Sequence, residues 1–156
     1  MTLEIGSKAP EFDLPADSGE TLSLSGLLAD NDYVVLYFYP KDDTPGCTTE
    51  AKDFTALEAE FKALNTSVVG VSKDTPAKHD KFRAKHDLTV RLVSDEEGGM
   101  LESYGVWVEK SMYGKTYMGI QRATLLINKA GDIVATWPKV KVKGHADSVL
   151  AAIKDQ

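Results

Sequence analysis

The chain has 156 residues, 42% of them hydrophobic and 27% charged, with a net charge of −6 at pH 7. That length suits one domain, residues 1–156, with a sizeable core, and an acidic balance without a basic stripe argues against nucleic-acid binding. No apolar run approaches the roughly 20 residues of a membrane span, and the opening MTLEIGSKAPEF lacks the basic-then-apolar shape of a signal peptide, so the expectations are no membrane partner and a cytoplasmic location.

The first clear element is DYVVLYFYP. Its apolar run from Tyr33 to Tyr39 reads as a strand buried on both faces, ended by Pro40. Ala51, Phe54, Leu57, Phe61 and Leu64 follow at spacings of three and four, one stripe on a helix of about five turns. SVVGVS (Ser67–Ser72) is a second buried strand. A strand, a helix and a strand imply a right-handed crossover with parallel strands. Thr75 then caps a charged helix with Pro76 at its first position. RLVSD (Arg91–Asp95) is a third strand, and Met100–Tyr104 a short helix ended by Gly105. SMYGKTYMG (Ser111–Gly119) reads as an ordinarily packed hairpin; the alternative has Met112, Tyr113, Tyr117 and Met118 lining a substrate mouth. RATLLIN and DIVATWP, separated by KAG, read as a second hairpin. Ala146, Val149, Leu150 and Ile153 mark an amphipathic C-terminal helix. This order fits an α/β, thioredoxin-like fold, with a central mixed sheet and helices on both faces.

The chain holds one cysteine, Cys47, in YFYPKDDTPGCTTEAKDF. A single thiol excludes an internal disulfide and a cysteine-cluster metal site. His79, His86 and His145 lack ligand spacing and read as solvated surface residues, and nothing in the sequence implies a metal or an organic cofactor. Thr44 is a candidate N-cap with Pro45 at the first helical position, which places Cys47 in the first turn. Unpaired amides and the positive dipole end gather there and favour a thiolate, the nucleophilic form. Ionisation alone is a small gain. An ordinary thiol is about 3% ionised at neutral pH, so full ionisation brings about 30-fold. A fast enzyme also needs groups that hold the substrate and stabilise the leaving oxygen. Asp42 and Asp43 would oppose a thiolate, so both are expected to face solvent.

YFYPKDDTPGCTTEA resembles the active-site segment of the peroxiredoxins, and most of all their bacterioferritin comigratory protein, or Q-type, branch. The motif is Pro40, Thr44 and Cys47, with Glu50 also in place. GSKAPEFDLPADSGETLSLS, LVSDEEGGMLESYGVW and YMGIQRATLLINKAGDIVATW are similar to other family segments in the same order. The resemblance implies a thiol-dependent peroxidase acting on hydrogen peroxide and organic hydroperoxides through a Cys47 sulfenic acid. It further implies that Thr44 bonds the thiolate and the peroxide, that Pro40 shields the sulfur, that Arg122 supplies a fixed positive charge, and that Glu50 orients Arg122.

Two-cysteine members of this branch carry a resolving cysteine either five residues after the first, here Lys52, or in the next helix, where Arg83 stands near that spot. The resemblance is therefore to a one-cysteine variant whose sulfenic acid is resolved by an external thiol: thioredoxin, glutaredoxin or glutathione. The branch implies a monomer or a weak dimer. A disulfide reductase would need C-x-x-C, whereas Thr48, Thr49 and Glu50 follow Cys47. The remaining alternative is a catalytically weak, thioredoxin-like binding or chaperone-like protein.

Overall fold

The structure, a computed structural model, describes residues 3–156. In chain order they form β1 (Asp13–Pro15), a 3-10 turn (Asp17–Gly19), β2 (Thr21–Ser23), α1 (Leu24–Asp30), β3 (Tyr33–Phe38), α2 (Pro45–Ala56), α3 (Glu58–Ala63), β4 (Thr66–Ser72), α4 (Pro76–His86), β5 (Arg91–Ser94), α5 (Gly99–Ser103), β6 (Trp107–Met112), β7 (Lys115–Ile120), β8 (Ala123–Asn128), β9 (Ile133–Trp137) and α6 (His145–Lys154).

Five strands make a central sheet in the order β5-β4-β3-β8-β9. The strands β3, β4 and β5 run parallel, whereas β8 is antiparallel to β3 and β9 to β8. The sheet is therefore mixed, in a thioredoxin-like α/β fold. Alternation along β3 divides the core. Val34, Leu36 and Phe38 pack with Leu24 and Leu28 of α1 and with Met100 and Leu101 of α5. Val35 and Tyr37 point the other way, and with Tyr39 they pack with Phe54, Phe61, Phe82, Val149 and Leu150 from α2, α3, α4 and α6. Every one of these side chains is buried. The apolar run read from the sequence is thus two stripes, one for each face.

The stripe from Ala51 to Leu64 is not one helix. The Leu57 backbone leaves the helical range (φ −99°, ψ 10°), and its amide bonds the Phe54 carbonyl at 3.2 Å. This three-residue span tightens the turn and separates α2 from α3. Both pieces still face the sheet, with the Phe54 and Phe61 rings 6.0 Å apart. Three elements before β3 left no periodicity to read, because β1 and β2 have three residues each and α1 has seven.

The β6–β7 pair is a hairpin, as expected, but it is not ordinarily packed. Met112, Tyr113, Tyr117 and Met118 are all exposed, Tyr113 at 97%. Tyr113 and Gly114 both have positive φ, the turn type that suits the twist of a two-residue hairpin.

Candidate active site

Cys47 lies where β3 hands over to α2. Pro45 fills the first helical position, so Cys47 occupies the first turn as expected. Thr44 stands at the N-cap, yet its hydroxyl donates to the Lys41 carbonyl at 2.8 Å and makes no capping bond to the helix. Its single proton is committed there, which leaves the oxygen free to accept. The first helical bond runs from the Thr48 amide to the Thr44 carbonyl, 2.8 Å. Pro40 is exposed just beyond the end of β3. Cys47 itself is 2% exposed and packs with Tyr37, Tyr39, Ala51 and Phe54.

Arg122, just before β8, crosses to this turn. Its Nη2 donates to Cys47 Sγ at 3.2 Å, and its Nη1 donates to Glu50 Oε1 at 2.7 Å. One guanidinium fork thus spans a sulfur and a carboxylate on the same helix. Gly46 leaves room for it: a Cβ added there would meet Arg122 Nη2 at 3.3 Å. Burial works against the arginine's charge, but Glu50 and Cys47 beside it hold the guanidinium above its ordinary range. Glu50 is 1% exposed, and its second oxygen has no hydrogen-bond partner among the described residues. Burial pushes its carboxyl up to about 7, against the pull of Arg122. The arrangement is a sheltered sulfur faced by a cation whose other arm is held by a carboxylate.

The surroundings hold residues that the sequence alone left unassigned. Lys110 of the exposed hairpin lies near enough for Arg122 and Cys47 to act on it; burial first, then Arg122, lower its ammonium from the usual range. Tyr37 stacks between Tyr39 and Phe54, with centroids 5.5 and 4.8 Å away. Gly46 could have been found in the Pro45-Gly46-Cys47 run; Lys110 carries no local signal.

Three expectations are corrected, those for Asp42, His79 and His145. Asp42 does not face solvent: its side chain is 6% exposed and sits 2.7 Å from His79 Nδ1. Asp43 does face solvent as expected, and there it pairs with Lys85 at 2.7 Å and His86 at 2.8 Å. His79 and His145 are buried, not solvated; the Nε2 of His145 lies 2.8 Å from the Thr124 hydroxyl. Arg83, near the spot of a resolving cysteine, donates to the buried Asp17 at 2.8 Å. In each case an ion pair or hydrogen bond made by folding satisfies a group that local sequence would place in water.

The model of the AhpC/TSA family matches residues 5–136. Peroxiredoxin Bcp of Bacillus subtilis is 49% identical over 155 residues, spanning 99% of this chain and 98% of that protein. Peroxiredoxin Bcp of Escherichia coli K12 is 40% identical, over 98% of this chain and 97% of that one. Among solved structures, the bacterioferritin comigratory protein of Xanthomonas campestris, described for alkyl peroxide reduction, superposes with a TM-score of 0.88 at 42% identity, covering 99% of this chain and 97% of that one. A PrxQ mutant from Xylella fastidiosa superposes at 0.92 and 38% identity, covering 99% and 98%.

Proposed function

We propose, for a chain that belongs to the AhpC/TSA family and is a thiol-dependent peroxidase, that Cys47 is the residue oxidised by peroxide and Arg122 the cation that holds it ready. The observation behind this reading is the Arg122 fork, 3.2 Å from the sulfur and 2.7 Å from Glu50. The thiolate attacks one peroxide oxygen in line with the O–O bond. A new S–O bond forms, the O–O bond breaks, and the leaving oxygen departs as water or alcohol after taking a proton. Cys47 becomes a sulfenic acid.

Arg122 stabilises the thiolate before attack and the peroxide oxygens during it, because its fork is planar and its charge permanent. Thr44, whose hydroxyl donates to the Lys41 backbone carbonyl, accepts from the peroxide O–H. Glu50 orients Arg122, and Pro40, exposed at the loop start, keeps water from the sulfur. This chain has no second cysteine, so an external thiol attacks the sulfenic sulfur and releases water. A mixed disulfide forms, and a second external thiol breaks it to restore the thiolate. Thioredoxin, glutaredoxin or glutathione would serve, with the protein acting as one domain, a monomer or weak dimer in the cytoplasm. The comparisons favour the peroxidase over the catalytically weak binding alternative.

The test is peroxide consumption by purified protein with dithiothreitol as reductant. Cys47→Ser is expected to have no turnover; retained activity in that variant would refute the assignment. Excess peroxide without thiol is expected to add about 32 Da at Cys47, the sulfinic acid step.

A further inference from the structure

We propose that His79 is a positioning residue of the peroxidase site: it cancels the buried charge of Asp42, so that the Cys47 thiolate forms unopposed in front of Arg122. This rests on the reading of Cys47 as the reacting residue.

His79 is 0% exposed. Its Nδ1 lies 2.7 Å from Asp42 Oδ2 and its Nε2 lies 3.1 Å from the Val93 carbonyl. A carbonyl only accepts, so Nε2 carries a proton. A second proton must lie between Nδ1 and the carboxylate, on one or the other. In either arrangement the His79–Asp42 pair has a net charge of zero.

Asp42 needs that cancellation because of where it sits. Its Oδ1 accepts from the Tyr39 hydroxyl at 2.6 Å, and its amide donates to Asp74 Oδ2 at 2.9 Å. Tyr39 stacks on Tyr37, and both pack with Cys47 in one buried cluster. Burial above all, then Glu50, Asp42 and Cys47, push the Tyr37 hydroxyl well above its usual range. The aspartate and the sulfur therefore share one poorly solvated patch, in which a second bare anion would oppose the thiolate. The charged and titratable groups around that patch are Arg122, Glu50 and Lys110 at the sulfur, with Asp53 acting on Glu50 and Arg122 on His145, then Asp42 at His79, and Asp74, which accepts from the Asp42 amide and the Ser72 hydroxyl. The helix α4 supplies the partners of the active-site loop's carboxylates: His79 for Asp42, and Lys85 with His86 for Asp43.

The single cysteine makes the readout unambiguous. Reduced full-length protein is alkylated with iodoacetamide across a pH series, alongside thermal melts. For His79→Gln, which keeps an amide donor but no cation, the midpoint of the alkylation profile is expected to rise by about one pH unit, with about tenfold slower alkylation at neutral pH. Adding Asp42→Asn to that variant is expected to return the midpoint to the wild-type value, even with stability still reduced. An unmoved midpoint in folded His79→Gln, or no return in the double variant, would overturn the proposal and leave His79 with packing alone. Should His79→Gln not fold, nitrogen-detected NMR of the wild type decides. Protons on Nε2 and between Nδ1 and Asp42 are expected at neutral pH, and the absence of either overturns the proposal. Alkylation reads the thiolate without peroxide, so an inert wild type would refute the peroxidase reading while the midpoints still judge His79.

Discussion

Arg122 holds a sulfur and a carboxylate with different arms of one guanidinium, and the geometry depends on that shape. A lysine keeps the charge but has no fork to span both groups. Arg122→Lys is therefore expected to lower kcat/KM for peroxide by about a hundredfold, with the fold intact by circular dichroism. Gly46 sets the room available. The added methyl of Gly46→Ala would meet Arg122 Nη2 at 3.3 Å, so the guanidinium must shift by a few tenths of an ångström. A several-fold slower reaction with an unchanged melting temperature is the expected result. Cys47, Arg122 and Glu50 were legible at this scale because they stand in a family-like pattern. Asp42 and His79 were not. A charged residue reads as solvated until its partner is known, and this pair is 37 residues apart in the chain.

At the scale of elements, β4 bears on the site through one missing side chain. Gly70 pairs with Tyr37 across the parallel β3–β4 ladder. A Cβ on Gly70 would come within 2.7 Å of Tyr37 Cζ and 2.9 Å of Leu92 Cδ2. Both neighbours are fully buried and cannot swing away. Gly70→Ala is expected to cost about 1–3 kcal/mol in urea unfolding, the usual range for overpacking. It is also expected to slow peroxide reduction, because Tyr37 packs with Cys47. The glycine in SVVGVS was visible in the sequence; its reason was not, since the ring it accommodates comes from another strand. The same limit applies to the α2–α3 break at Leu57, where neither Gly nor Pro announces a turn.

For the whole molecule, two buried titratable groups near Arg122 push stability in opposite directions with pH. Burial raises Glu50 to about 7, so its contribution to stability is present below the usual value of 4.5 and is lost as pH rises through about 7. Burial, then Arg122, lowers His145 from 6.5 to about 4, so its contribution is present above 6.5 and lost as pH falls through about 4. Their windows overlap, and the two slopes oppose each other. Glu50→Gln is expected to leave stability rising with pH between about 4 and 6.5, and His145→Gln to leave it falling between about 4.5 and 7, both read by thermal melts. Parallel profiles for the two variants would refute the opposition.

By itself the sequence determined the strands and helices with clear periodicity, the first-turn place of Cys47 and the family pattern of Pro40, Thr44, Cys47, Glu50 and Arg122. Spacing along the chain carries the elements and the place of Cys47, because hydrophobic period and helix-start chemistry are local, whereas that pattern rests on the resemblance to the family. Only the tertiary structure decided that Arg122 reaches a sulfur 75 residues away. It also decided that His79 lies buried against Asp42. Such contacts form when burial removes water from charged groups and each must find its counterpart in space.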